Sequence, residues 1–341
     1  MIGIGSWRYA VIGDEYSFYS VARSIVEDQS IFQVGNNLFN GQAVYGAHPY
    51  FSSLLQAISM LLLGTANFGW RFSSLYLCAL SAGFFYFFFK TFLSQRVAFV
   101  AAALLAVSHY LINFSKIGYN NLQALFMMSV ALWMAGRALS SQRPVAFNLL
   151  GMAMGACLYV YPAALYALPL PVLLMLFYMP PTSRAALRRW SMMIASFSLT
   201  MLPLLFQPGY WQAKIAGTIF YNPDIIGSTA ESLFHVGSNL LYTLFSFVYI
   251  PEESHFVVSS YVDPLTAIFL PIGLALILRW LRKERFAAFA AVAFIIEALL
   301  IGVSHDRPYP TATRMFMLLP WMALFGALGL CWVVDRARLV M

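Results

Sequence analysis

Phe72 to Phe89 reads FSSLYLCALSAGFFYFFF and contains no charged side chain. As a helix rising ~1.5 Å per residue it covers about 27 Å, close to the ~30 Å hydrocarbon layer of a bilayer. Comparable runs recur at Val97 to Phe114, Leu122 to Ala138, Val145 to Val160, Ala163 to Met179, Ser191 to Gln207, Val262 to Arg279, Phe286 to Val303 and Arg314 to Val334, making nine candidate spans. Composition agrees: of 341 residues 61% are hydrophobic and 10% charged, with mean hydropathy +0.74. A soluble domain carries roughly a quarter charged residues. The expected fold is therefore an all-α, polytopic transmembrane bundle, and a soluble globule, a disordered chain and a porin-like barrel are excluded. Cys78, Cys157 and Cys331 lie inside apolar runs and read as packing residues. The opening stretch lacks the basic flank and apolar core of a signal peptide.

One further run, Tyr50 to Gly64, begins after Pro49 and carries Ser52, Ser53, Gln56 and Ser59. It reads as an interfacial helix on grounds of charge parity. If it does not cross, 13 of the 20 cations, from Lys90 and Arg96 through Arg336 and Arg338, fall in short loops on one side. The remaining 7, Arg8, Arg23, Arg71, Lys116, Lys214, Arg307 and Arg314, fall on the other. The excess of Lys and Arg marks the first side as cytoplasmic. Ten of the thirteen acids then sort to the outside without having been used in the assignment. The chain divides into an outer loop with juxtamembrane helices (1–71), six spans (72–207), a second outer segment with an amphipathic helix (208–261) and three spans (262–341). Only the outer face has enough chain to build a pocket.

On that face Asp14 and Glu15 open a short amphipathic helix in which Phe18, Val21, Ala22 and Ile25 share a side. Helix capping is the plain reading of such a pair. A partly desolvated carboxylate beside a bundle is also suited to general-base work. Arg71, Lys116, Arg307 and Arg314 are scarce outer cations at span ends. They are read either as headgroup anchors or as a phosphate clamp. His48, His235 and His305, with nearby carboxylates, could hold a divalent cation, although their spacing matches no metal motif. Glu297 lies within a span and is a candidate by the cost of burying it. No phosphate-binding loop, dinucleotide fingerprint or nucleophile elbow is present.

Several ordered segments together resemble the C-type-fold (GT-C) membrane glycosyltransferases, in particular family 39, the protein O-mannosyltransferase and lipid A aminoarabinose transferase group. They are Asp14-Glu15 followed by Ala22-Arg23; His48-Pro49-Tyr50; Phe68 to Ser74; Phe114 to Asn121; Gly151 to Tyr161; Val262-Asp263-Pro264; and Pro308-Tyr309-Pro310 with Arg314. The resemblance implies a polyprenyl-phosphate-linked sugar donor and a catalytic Asp at position 14. It differs in two respects. Family members place a helix before the catalytic loop, whereas here Asp14 follows only 13 residues, so that helix is expected to be missing. The aminoarabinose branch has an Asp in the second outer loop where this chain has Asn120.

The function expected from the resemblance is inverting transfer of the sugar to an acceptor hydroxyl of a protein, glycan or lipid at the outer face, in a bacterial plasma membrane. Asp14 would be the base and Glu15 would orient the loop or, less readily, hold a metal. Arg71, Lys116, Arg307 and Arg314 would bind phosphate, with His48 and Tyr309 beside them, and Asn120 and Asn121 would bind sugar hydroxyls. The alternative is a catalytically inactive scaffold or lipid-binding subunit of a larger complex. A transporter would need Glu297 to face a water-filled path.

Overall fold

The computed structural model describes residues 15–40, 43–45, 48–206, 229–245, 260–303 and 312–340. The described chain opens with α1 (Glu15–Glu27) and α2 (Ile31–Asn40). A small antiparallel pair follows, β1 (Ala43–Tyr45) and β2 (His48–Pro49), and leads into α3 (Tyr50–Leu63). Helix α1 forms as its spacing predicts. Phe18, Ala22 and Ile25 are buried along one stripe, and Arg23 pairs with Glu27 one turn on at 2.7 Å.

The bundle continues with α4 (Asn67–Phe92), α5 (Gln95–Ala106), α6 (His109–Ser115), α7 (Leu122–Ser141) and α8 (Pro144–Ala156). Next come α9 (Pro169–Tyr178), α10 (Arg184–Leu205), α11 (Thr229–Phe245), α12 (Pro264–Trp280) and α13 (Arg285–Val303), then the single-turn α14 (Ala312–Met315) and α15 (Leu319–Val340). Side-chain caps set several starts: Ser94 accepts from Val97 N–H at 3.3 Å, and Asp263 from Thr266 N–H at 2.9 Å with Pro264 in the first turn.

Among the described residues, each of the nine expected spans falls mainly on helical chain. Among the described residues, four stretches meet the length and hydropathy of a full crossing: Asn67–Phe92, Leu122–Ser141, Arg285–Gly302 and Thr313–Leu339. The run expected as one span at Val97 to Phe114 is bent by 55° between α5 and α6, and would make a fifth crossing if counted whole. No proline or glycine marks this break. Past it, α6 carries Tyr110, Leu111 and Phe114 into the core. The other runs are shorter apolar helices, such as Pro144–Tyr159, Pro162–Tyr178 and Pro264–Trp280, or, in α10, begin with Arg184, Arg188 and Arg189. Helix length and hydropathy thus give four crossings, or five with the bent pair, among the described residues, and do not establish the expected count of nine.

The expected interfacial helix is α3, whose 14 residues reach about 21 Å, short of the ~30 Å core. Its amphipathicity is reversed relative to a soluble helix. Ser52, Ser53, Gln56 and Ser59 face inward and are buried, while Leu61 and Leu62 are 65% and 78% exposed. An apolar surround accepts the leucines, and the protein interior supplies the hydrogen bonds the serines need.

The core is largely aromatic. Phe92 stacks on Phe286 with ring centroids 4.9 Å apart, and Phe88, Phe89, Phe289 and Trp321 interlock beside them. Glu297 is fully buried here, accepting a hydrogen bond from the Trp321 indole. It therefore does not face the open path that a transporter would need. Helices α12 and α15 approach so closely that a Cβ on Gly273 would lie 1.7 Å from the Phe325 carbonyl oxygen, and one on Gly329 2.1 Å from that of Phe269. Only glycine allows this contact. Helices α8 and α10 pair, while α9 stands away from α10. An apolar cleft of about 680 Å³ opens between them, lined by Leu173, Trp190, Phe197 and Ile296 among others.

Candidate functional site

The site is built around a buried ion pair that joins the start of α1 to the start of α4. Arg71 Nε donates to Glu15 Oε1 at 2.9 Å and Nη2 to Oε2 at 3.2 Å, the forked geometry that makes guanidinium–carboxylate pairs strong. Both residues are almost fully buried, at 2% and 0% exposure. Removing two charges from water costs several kcal/mol per ion, which the interior repays only through close pairing and further hydrogen bonds. The Gly118 backbone N–H supplies one of these, donating to Glu15 Oε1 at 2.6 Å. The guanidinium also lies over the Trp70 ring, 5.1 Å from its centroid.

Gly118 belongs to the loop between α6 and α7, and this loop is the junction of the site. Gln56 Nε2 of α3 donates to its carbonyl at 2.5 Å, and Ser74 Oγ of α4 to the Tyr119 carbonyl at 3.0 Å. Just past the loop, Gln123 and Ser52 bond reciprocally: Ser52 Oγ donates to Gln123 Oε1 at 2.7 Å and Gln123 Nε2 to the Ser52 carbonyl at 2.8 Å. Gly118 has no alternative, because a Cβ there would meet the Trp70 ring at 2.0 Å. Phe18 packs edge-on against Tyr119 and closes the α1 side.

On its far side the same loop reaches the last helix. Asn121 precedes the first residue of α7, but its side chain does not cap that helix. Its Nδ2 instead donates to the Thr313 carbonyl at 3.2 Å, fixing the residue before Arg314. Tyr161, in the turn after α8, lies beside Thr313 and Arg314. Burial raises the Tyr161 phenol above its ordinary value, and the Arg314 guanidinium draws it part of the way back. The ends of α1, α4, α7 and α14 therefore meet at one end of the bundle. Arg96 and Asp335 pair at the ends of α5 and α15, away from this junction.

Of the residues expected from sequence, Glu15, Arg71, Asn120, Asn121 and Arg314 are brought together through this loop, and Lys116 stands half-buried at its start. Asp14, Arg307, Tyr309 and the His48 side chain lie outside the described residues; Asp14 directly precedes Glu15 in the chain. Arg71, expected as a phosphate ligand, has two of its nitrogens on Glu15. The two oxygens of Glu15 already accept three N–H donors. Among the described residues no group of three His, Cys, Asp or Glu side chains gathers to hold a metal. Sequence reading did not single out Gln56, Ser74, Gln123, Gly118 or Tyr161 as site residues. For Gln56 a signal existed in its recurrence with Ser52 and Ser59 on one helical face.

Residues 47–211 match the profile of a family described as dolichyl-phosphate-mannose-protein mannosyltransferase. Among solved structures, ArnT from Cupriavidus metallidurans in the apo state aligns with a TM-score of 0.69 at 13% identity, over 98% of this chain and 58% of that one. The same protein bound to undecaprenyl phosphate aligns at 0.67 and 14%, over 96% and 57%. The archaeal oligosaccharyltransferase AglB from Archaeoglobus fulgidus, in complex with an inhibitory peptide and a dolichol-phosphate, aligns at 0.59 and 14%, over 99% and 48%. The chain thus spans about half the length of the solved proteins it matches. At these identities the likeness is one of fold. The chain is an integral membrane protein with the GT-C architecture. No curated protein matches it by sequence.

Proposed function

We propose that this protein transfers a sugar from a polyprenyl-phosphate-linked donor to an acceptor hydroxyl, with inversion, at the outer face of the membrane. The observation that carries the reading is the loop ending at Asn121. Through Gly118 it holds the residue next to Asp14, and through Asn121 it holds the residue next to Arg314. The loop thereby ties Glu15 and Thr313 to one frame, which supports a reading in which their chain neighbours supply the base for the acceptor and the cation for the departing phosphate. A polyprenyl phosphate leaves as a stable anion, so one base and electrostatic stabilisation of the leaving group suffice.

In this mechanism Asp14 accepts the proton of the acceptor hydroxyl as its oxygen attacks the anomeric carbon from the face opposite the phosphate. The carbon–oxygen bond to phosphate breaks, and the lipid phosphate leaves toward Arg314, joined by Lys116, Arg307, Tyr309 and His48. Glu15 and Arg71 are positioning residues: each neutralises the other, and together they fix the start of α1. The isoprenoid chain of the donor lies in the apolar cleft beside α9 and α10, whose lining offers it methyl, methylene and aromatic surface. The family matched by residues 47–211 and the lipid phosphates named in the ArnT and AglB complexes support the donor class.

The test is Asp14→Asn in membranes supplied with radiolabelled polyprenyl-phosphate sugar. Transfer should fall to background while expression and membrane insertion stay at the wild-type level. Transfer at the wild-type rate would defeat the assignment.

A further inference from the structure

The apolar cleft beside α9 and α10 differs at its two ends. Its wall on α10 is the stripe Trp190, Met193, Ile194, Phe197 and Ser198, about 12 Å along the helix. Leu176 and Ile194, 46% and 53% exposed, belong to this lining, so the cleft opens sideways toward hydrocarbon. Trp190 Nε1 is committed to the Met179 carbonyl at 2.8 Å, which leaves Ser198 as the remaining polar group of the lining. A hydrocarbon chain suits such walls. The end of the cleft at Trp190 is flanked by cations from two helices. Arg184 and Arg188 lie in the first two turns of α10 and are exposed, while Arg189 is held over the Phe147 ring, 5.7 Å from its centroid. Across the cleft, Arg285 is the first residue of α13 and precedes the lining residue Ile296 by three helical turns, on the same face and about 17 Å away. Tyr178, which closes α9, is within electrostatic reach of Arg285 and Glu284, so the ends of α9 and α13 are neighbours. Among the described residues the ion pairs are Arg23–Glu27, Arg71–Glu15 and Arg96–Asp335, so Glu284 neutralises none of these arginines by direct pairing.

We propose that this end of the cleft is a binding site for an anionic phospholipid, with one acyl chain in the cleft and the headgroup phosphate on Arg184, Arg188 and Arg285. Guanidinium groups match phosphate oxygens in a forked geometry, and basic pockets between membrane helices favour anionic headgroups. A zwitterionic lipid brings an ammonium group toward the same arginines and is disfavoured. The site lies on the side whose short loops carry the excess of Lys and Arg, at the opposite end of the bundle from the loop that joins Glu15 to Thr313. The transfer reading above places the isoprenoid chain of the donor in the same cleft. Acyl chain and isoprenoid chain then contend for one space, so anionic phospholipid weakens donor binding. That consequence rests on the transfer reading; the phospholipid site itself does not.

The experiment presents the full chain in detergent with equal amounts of phosphatidylglycerol and phosphatidylcholine carrying the same acyl chains, and counts the lipid retained by native mass spectrometry. The wild type should retain phosphatidylglycerol over phosphatidylcholine by about tenfold. The triple variant Arg184→Ala, Arg188→Ala, Arg285→Ala, which leaves Arg189 on Phe147, should retain the two equally. Leu173→Trp fills the cleft and keeps the arginines, and should lose retained lipid of both kinds; Ile194→Trp, on the exposed rim, serves if that variant does not fold. Equal retention of the two lipids by the wild type, or a preference that survives in the triple variant, would overturn the proposal. So would undiminished retention in the filled cleft, which would leave the headgroup on a bare surface. A second measurement reads the affinity for undecaprenyl phosphate in nanodiscs of rising phosphatidylglycerol content. It should fall for the wild type and stay level for the triple variant. An affinity that stays level in the wild type, with retention as expected, supports the phospholipid site and removes the isoprenoid chain from the cleft, so the two readings fail separately.

Discussion

Replacing Glu15 with Gln keeps the side-chain size and removes one charge, leaving the Arg71 guanidinium inside the protein with no carboxylate. Because Glu15 and Arg71 are 0% and 2% exposed, water cannot reach in to compensate as it would at a surface. Breaking a buried pair from one side costs about 3–5 kcal/mol, a drop of roughly two to four powers of ten in the folding equilibrium constant. Arg71→Met should cost a comparable amount, because it strands the carboxylate that Gly118 N–H and Arg71 now share. Replacing both at once, Glu15→Leu with Arg71→Met, removes both desolvation penalties and should recover most of the loss, since apolar pairs often substitute for buried ion pairs at little net cost. The measurement is a double-mutant cycle of Glu15→Leu, Arg71→Met and the double replacement on reversible unfolding in mixed detergent micelles. The expected coupling between the two positions is at least ~2 kcal/mol. Single variants that each cost under ~1 kcal/mol and add without coupling would show that the pair does not hold the site together. Transfer activity should be lost in all three variants, the recovered double included, because the apolar pair cannot accept the Gly118 N–H.

Two further outcomes can be measured on the same preparation. Gly118→Ala places a methyl group 2.0 Å from the Trp70 ring and should cost about 1–3 kcal/mol of stability, partly regained when Trp70 is also changed to Leu; an unaffected single variant would mean that the loop is free to move away. Tyr161 has its phenol raised by burial, so the unfolded chain loses this proton first, near the ordinary value of 10.0. Its contribution to stability is complete below that pH and is lost as pH rises through the higher folded value. The wild type should therefore lose stability above pH 10 more steeply than Tyr161→Phe, with parallel curves below, and identical slopes in the alkaline range would contradict the buried placement.

Hydropathy alone was enough to find the four described helices long and apolar enough to cross, because in lipid the backbone must satisfy itself and the surrounding solvent rewards apolar side chains on every face. The bend between α5 and α6 was not visible, since Val107-Ser108 carries no proline or glycine to signal it, and past it Tyr110 and Phe114 are buried. The serines and glutamine of α3 were recognisable as one face. Which way that face points depends on the solvent, and at a bilayer the polar side turns inward. For the site, sequence reading placed Glu15 and Arg71 on the same side of the membrane but in separate roles. Their pairing spans 56 positions and depends on how α1 settles on α4, which no local pattern encodes. Asn120 and Asn121 were read as candidate ligands of sugar hydroxyls by residue type. Only coordinates show that one is anchored to Thr313 while the other has both polar atoms unfilled.

The glycine seam between α12 and α15 bears on how the protein meets membranes of different thickness. With Gly273 against the Phe325 carbonyl and Gly329 against that of Phe269, axial sliding by even one residue, ~1.5 Å, would drive neighbouring side chains into opposing backbone. These two helices must therefore tilt as one rod when hydrophobic mismatch changes, and the height of Arg314, just ahead of α15, is set by that rod and not by the lipids around it.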